Sequence, residues 1–204
     1  MERGSSLKPG GWIRISSLSF DLDRLLRRLK PEKRTVPLSC RPVQDLLAAG
    51  RAVLRCPLVP DTTVYVHAGQ RKLPHHVVAM FQDWPLRHCG VVLGEIAHGL
   101  GRLDPEHPQT PVRRAYFEDV LRRVPSHRLI SPDHAAHIEA GVLTGMLARL
   151  QNSPTGAHRQ RINDILILLT AQKAGAAVLT ANVADFDLIQ QLVPDASVVF
   201  YAAV

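Results

Sequence analysis

Within the first 55 residues, one stretch carries apolar positions at a helical period. In "SFDLDRLLRRLKPEKR", Leu22, Leu25, Leu26 and Leu29 fall at i, i+3, i+4 and i+7, the spacing of an amphipathic helix. Pro31 stops it, and Arg24, Arg27 and Arg28 lie mostly off the apolar stripe. A second short helix is predicted over "RPVQDLLAAG", with Pro42 in its first turn and Gly50 past its end. Two short helices bury little by themselves, so they are expected to dock on the body of the chain or on a partner.

From residue 56 the pattern alternates. "LVPDTTVYV" is β-branched and aromatic and predicts a strand. "LPHHVVAMFQDW" predicts a helix with Pro74 near its start, and "HCGVVLGEIAHGLGRL" a short strand running into a helix. "TPVRRAYFEDVLRRV" predicts a helix capped by Thr110, with Pro111 first and Val112, Tyr116, Phe117 and Leu121 as its stripe. "HRLI" is a short strand candidate, "SPDHAAHIEAGVLTGMLARL" a helix and "NSPTGAH" a loop. The segment from His158 then predicts a helix ending near Gly175, a strand "AAVLTA", a helical piece "DFDLIQQL" and a last strand "ASVVFYAA". Strands alternating with helices argue for a parallel sheet flanked by helices on both sides. Ligands of such sheets gather at the carboxyl ends of the strands.

That rule draws attention to four isolated acids. Asp164 heads the apolar run Ile165 to Leu169, and an ionised carboxylate removed from water is costly unless something positive or hydrogen-bonding meets it. A bland reading is an acid at a helix N-terminus, stabilised by the dipole; the functional reading is an acid that lines a pocket and meets a cation. Glu95 is the lone acid of "CGVVLGEIAHGL", and Asp61 stands beside "TTVYV". Thr180, Asn182 and Asp185 follow the strand "AAVLT". Carboxylate and amide oxygens in these places suit a hard divalent cation such as Mg²⁺ or Mn²⁺.

Charge changes the picture only at one end. Residues 1–55 carry 12 Lys/Arg against 5 Asp/Glu, whereas residues 56–204 carry 13 of each. The net charge of +7 thus belongs to a basic N-terminal extension beside a neutral body, an arrangement that suits a polyanion such as RNA. A solvated helix surface is the plain alternative. The three cysteines, Cys40, Cys56 and Cys89, are odd in number and lack metal-type spacing, which fits a reducing compartment. The chain contains no apolar run of membrane-spanning length and no signal-peptide pattern, so a cytoplasmic protein without membrane contact is expected.

Taken in order, "PDTTVYV", "VVLGEIAHGL" and "INDILILLTAQKAGAAVLTANVADFDLI" resemble the successive motifs of the PIN-domain family, and more narrowly the VapC-type toxins of bacterial toxin–antitoxin pairs. The resemblance spans residues 57 to 202 and leaves the first 55 without a counterpart. It implies a PIN-like three-layer α/β/α domain over 56–204 with a central parallel sheet of four to five strands. The basic helical extension, residues 1–55, precedes it. It also implies a Mg²⁺- or Mn²⁺-dependent endoribonuclease, a homodimer and a cognate protein antitoxin. Residue by residue, Asp61, Glu95 and Asp164 match the family acids, and Thr63 the hydroxyl after the first. The fourth position departs from the pattern: Asn182 stands where many members carry an acid, and Asp185 resembles the Asp of the "N-x-x-D-F" ending. Asn163 resembles the Asn of the family "ND" pair and is read as a helix-start residue.

The resemblance therefore implies catalysis by Asp61, Glu95, Asp164 and Asp185, and a metal held by these with Asn182. Thr63 and Thr180 would orient water or a phosphate oxygen. RNA, such as tRNA or rRNA, would meet Arg24, Arg27 and Arg28. Two alternatives stand beside this: a PIN nuclease in RNA processing outside a toxin–antitoxin pair, and a weakened PIN module that binds RNA or a partner. Glu95 with His98 at i, i+3, and His134 with His137, lack the further ligands that di-iron or zinc sites need. Trp84 and Tyr116 are more simply core than base-stacking platforms. Deleting residues 1–55 is expected to weaken RNA binding and to flatten its salt dependence; an unchanged salt slope in filter-binding titrations would remove the extension from RNA contact.

Overall fold

The computed structural model describes residues 20–51, 56–151 and 158–204. The predicted loop "NSPTGAH" falls outside these except for His158, and so does the first third of the basic extension.

The extension forms the two predicted helices, α1 (Leu22–Leu29) and α2 (Val43–Arg51). Asp21 caps α1 by accepting from the Arg24 amide at 2.8 Å. Lys30 closes it in the left-handed conformation, with Pro31 following. Helix α2 runs through Gly50, which sits inside the helix instead of past its end. Strand β1 (Leu58–Pro60) leads directly into α3 (Thr62–Gly69). Here the prediction fails: "TTVYV" is a helix, not a strand. The Asp61 carboxylate caps the turn that begins there, and a side-chain cap at the helix start outweighs the β preference of Thr, Val and Tyr.

The chain continues through α4 (His75–Asp83), β2 (His88–Cys89), α5 (Gly90–Gly101) and α6 (Thr110–Arg123). Thr110 is the first residue of α6, not its cap, and its hydroxyl donates to the Asp104 carbonyl at 2.6 Å. Val112 points away from the body and is 73% exposed, so the inner side of α6 rests on Tyr116, Phe117, Val120 and Leu121. Strand β3 (Leu129–Ile130), α7 (His134–Gln151) and α8 (His158–Lys173) follow. Helix α8 ends as predicted: Gly175 adopts φ 63°, and the Ala176 amide reaches back to the Ala171 carbonyl at 2.9 Å. That bond and conformation close a helix with a glycine just past its end. The last elements are β4 (Ala177–Thr180), α9 (Val183–Leu192) and β5 (Val198–Phe200).

Among the described residues all pairings are parallel, and the continuous sheet has the order β1-β4-β5, three strands where the sequence predicts four to five. Strands β2 and β3 form a separate two-stranded ladder that meets β1 through the isolated bridge Leu58–Leu86. Successive strand residues face opposite sides. Val59, Val178, Val198 and Phe200 join an apolar cluster with α1, α2, α5, α7, α8 and α9. Leu58, Ala177, Leu179 and Val199 join another with Val64 of α3 and Val77 of α4. The sheet is thus covered on both faces. Among the described residues no helix is long and apolar enough to cross a membrane.

The extension is built into the body. Leu25, Leu29 and Leu46 belong to the core. Arg149 of α7 donates to the Pro31 and Arg34 carbonyls at 2.7 and 2.8 Å, and Gln151 to Leu38 at 2.7 Å. Arg41 holds the fully buried Asp187 of α9 through its Nε at 2.5 Å and its amide at 2.8 Å. Deleting 1–55 would therefore open the core as well as remove charge. Arg24→Glu together with Arg27→Glu probes RNA contact more cleanly, since both are exposed whereas Arg28 pairs with Glu139 at 2.6 Å. Arg41→Ala leaves a buried carboxylate short of its cation and is expected to cost about 1–3 kcal/mol, read as a lower urea midpoint. An unchanged midpoint would show the clamp to be idle.

Candidate active site

The carboxyl ends of β1 and β4 lie side by side because the two strands pair in parallel from Leu58–Ala177 to Pro60–Leu179. The residues that follow this paired run on the two strands are therefore neighbours, and these are Asp61 and Thr180. The Asp61 amide donates to the Leu179 carbonyl at 2.9 Å. Its carboxylate is almost fully buried, 3% exposed. One oxygen, Oδ2, takes the Thr180 hydroxyl at 2.9 Å, the Thr63 hydroxyl at 3.0 Å and the Thr63 amide at 3.5 Å. Thr63 in turn accepts from the Ala181 amide at 3.1 Å, and Thr180 from the Asn182 amide at 2.9 Å. Both threonines, which the resemblance implies as orienting water or phosphate, hold Asp61 to the β4 end.

Glu95 comes from the second turn of α5 and is half-buried. Thr62 donates its hydroxyl to Oε2, and Asn163 donates Nδ2 to Oε1 at 2.7 Å. Both carboxylate oxygens are thereby oriented. Thr62 was not singled out by the sequence reading, although a second threonine directly after a capping aspartate was a usable signal. Asn163 is not a helix-start residue; α8 begins five residues earlier, and Asn163 works as the donor that fixes Glu95.

Asp164 is likewise the seventh residue of α8, not at its head. It stands beyond the first turn, where the free amides and the dipole stabilise an anion, so that bland explanation fails. Burial pushes its carboxyl up to about 8, and the charges of Asp61, Asp185 and Glu95 push in the same direction, opposed by Arg161. Four acids from four elements therefore share one electrostatic neighbourhood.

Asp185 and Asn182 form the remaining side. Asn182 caps α9, accepting from the Asp185 amide at 3.5 Å and donating Nδ2 to Asp185 Oδ2 at 3.1 Å. The Asn182 side-chain oxygen, which the resemblance implies as a metal ligand, is thus also the cap of α9. Asp185 also pairs with Arg161 Nε at 3.3 Å. Arg161 was absent from the predicted set; a basic residue three positions before Asp164, on the same helix, was the available signal. Arg24, Arg27 and Arg28 sit on α1 and pack or project with it, so no described contact brings them to these acids.

Among the described residues, no group of three or more His, Cys, Asp or Glu side chains is arranged to hold a metal ion as it stands. The donor chemistry nonetheless fits a hard divalent cation: carboxylate oxygens, no thiolate or imidazole, and a proton on Asp164 that such a charge would displace.

No protein-family model matches the chain, and no curated protein matches it in sequence. Solved structures do. A chain of VapBC2 from Rickettsia felis, determined bound to a DNA fragment from their promoter, aligns with 72% of this chain and 99% of its own at 16% identity, TM-score 0.50. A chain of DNA-bound VapBC from Salmonella typhimurium aligns with 70% of this chain and 96% of its own at 21% identity, TM-score 0.49. The first of these establishes a shared fold. At such identity it speaks for the fold alone.

The raised Asp164 carboxyl carries a sign. The folded chain keeps that proton up to about pH 8, whereas the unfolded chain releases it near the ordinary carboxylate value. The unfolded state thus binds fewer protons between these limits, and stability falls as pH rises through the window. Asp164→Asn removes the penalty and is expected to raise Tm at pH 8 by roughly 5 °C, the change that about 2 kcal/mol produces in a chain of this size. At pH 4 it should change Tm little. A lower Tm at pH 8 would mean that Asp164 is stabilising and not strained.

Proposed function

We propose that the protein is a PIN-type, divalent-metal-dependent endoribonuclease, acting as the toxin of a type II toxin–antitoxin pair. The observation that supports this reading is the convergence on Asp164 of Asp61, Glu95 and Asp185. A fold has little structural use for three further acids set around the buried Asp164, whose carboxyl they push up, at the end of a sheet; a cation site does. The sequence resemblance to VapC-type toxins and the fold shared with a VapBC2 chain point the same way. We read the three-stranded sheet and the β2–β3 ladder, joined at Leu58–Leu86, as one five-stranded PIN-like sheet.

Asp61, Glu95 and Asp164 would hold Mg²⁺ or Mn²⁺, with Asp185 beside them. When bound, the cation supplies positive charge that polarises a phosphodiester and lowers the pKa of a water. The chain's own residues do the rest. Thr63 and Thr180 fix the orientation of Asp61, and Thr62 and Asn163 that of Glu95. Asp164, whose carboxyl is pushed up to about 8, would hold the cation in its deprotonated form. Arg161, paired with Asp185 and close enough to act on Asp164, would lend positive charge to an approaching RNA phosphate. The partners that follow from this reading are RNA, a protein antitoxin covering the acids and a second copy of the chain, in the cytoplasm.

A second reading has its own support. Arg161 on Asp185, and the Asn182 oxygen on a backbone amide, describe a cleft that binds cations weakly, which suits an RNA- or partner-binding module. Cleavage of a labelled RNA in Mn²⁺, followed on gels, separates the two. Activity should require the metal, and Asp61→Asn and Glu95→Gln should each lower it by at least the ~100-fold that loss of a supporting residue can cause. Metal-independent or mutation-insensitive cleavage, or RNA binding without cleavage, would remove the nuclease assignment.

A further inference from the structure

Behind the acids, on the α3–α4 side of the sheet, lies a polar pair in an otherwise apolar layer. Tyr201 follows β5 and is 1% exposed, packed with Leu58, Val64 and Leu179. A phenol buried this deeply needs a partner for its hydroxyl. It has one in His67 of α3, whose Nδ1 lies 2.9 Å away, with the rings edge to face at 5.8 Å. The Tyr201 amide meanwhile donates to the Thr180 carbonyl at 3.1 Å, and the Val204 amide to the Lys72 carbonyl at 3.1 Å just beyond α3. Tyr201 thus grips both elements that make the Asp61 end of the site. Its backbone holds β4 at Thr180, and its side chain holds the second turn of the helix that Asp61 caps.

We propose that Tyr201 and His67 are a positioning pair for the Asp61–Thr63–Thr180 side of the cation site. Neither touches a reacting atom; they act through Thr63 and the start of α3. Thr63 has one hydroxyl proton and gives it to Asp61 Oδ2. With α3 held against β4, that proton has a fixed acceptor, and the other Asp61 oxygen keeps a fixed direction for a ligand. Burial pushes the Tyr201 hydroxyl up to about 12, with Thr63 lowering and Asp61 raising it. The phenol is therefore neutral and lies within electrostatic reach of both residues. The second turn of α3 would otherwise be free to shift by the small distances to which such sites are sensitive.

This inference rests on the reading of the acids as a cation site, so its test measures cation binding directly. MnCl₂ is titrated calorimetrically into the full chain, into Tyr201→Phe, His67→Leu, their double variant, and His67→Asn, which keeps an acceptor near the Nδ1 position. Thermal melts accompany each. Each single variant should weaken Mn²⁺ binding about threefold to tenfold, the scale of one hydrogen bond. The double variant should be no worse than either, because the two act as one unit. His67→Asn should recover most of the loss, and none of these changes should track Tm. Wild-type affinity in both single variants, or additive losses in the double variant, overturns the proposal alone. Absence of saturable Mn²⁺ binding by the unaltered chain overturns the cation reading and this proposal with it.

Discussion

Carboxylates held close together repel one another, and four acids share one electrostatic neighbourhood here, Asp61 and Asp164 buried, Glu95 and Asp185 half-buried. Asp61 at the start of α3, Glu95 of α5, Asp164 of α8 and Asp185 of α9 are brought within electrostatic reach only by the tertiary fold. At an effective dielectric of about 20, two unit charges a few ångströms apart cost a few kcal/mol. The molecule lessens that cost by leaving Asp164 protonated and by setting Arg161 against Asp185. What it does not do is disperse the acids into solvent.

Each acid is oriented by a neighbour on another element. Thr180 of β4 and Thr63 of α3 hold Asp61, while Thr62 of α3 and Asn163 of α8 hold Glu95. Those bonds tie α3, α5, α8 and β4 to one another exactly where parallel strands end, so the same contacts that fix the carboxylates also fix the fold there. The N-terminal extension contributes from the far side. By clamping α7 and α9 through Arg149, Gln151 and the Arg41–Asp187 pair, it braces two of the elements on which the acids depend.

Much of this was legible along the chain. The i, i+3, i+4, i+7 leucines of α1, the glycine after α8 and the alternation of strands and helices follow from local rules, and the structure obeys them. The isolated acids were visible because each interrupts an apolar stretch. What local pattern could not give was decided by contacts. "TTVYV" has strand composition, yet the Asp61 cap turns it into a helix. Asp164 and Asn163 look like a helix start, yet α8 begins earlier, in a segment without apolar periodicity. Thr62, Arg161 and Tyr201 matter only through partners 33, 24 and 134 positions away in sequence, and no reading of nearest neighbours reveals a partner at such range.

The central claim is that these acids form one coupled cluster built to receive a divalent ion. Carbon-13 NMR of side-chain carboxyls, titrated from pH 3 to 10 on the metal-free chain and again with saturating Mg²⁺, tests it most directly. Asp164 should titrate near pH 8 without the ion and well below that with it, as the added charge displaces its proton. An ordinary carboxylate titration, unmoved by Mg²⁺, would contradict the account.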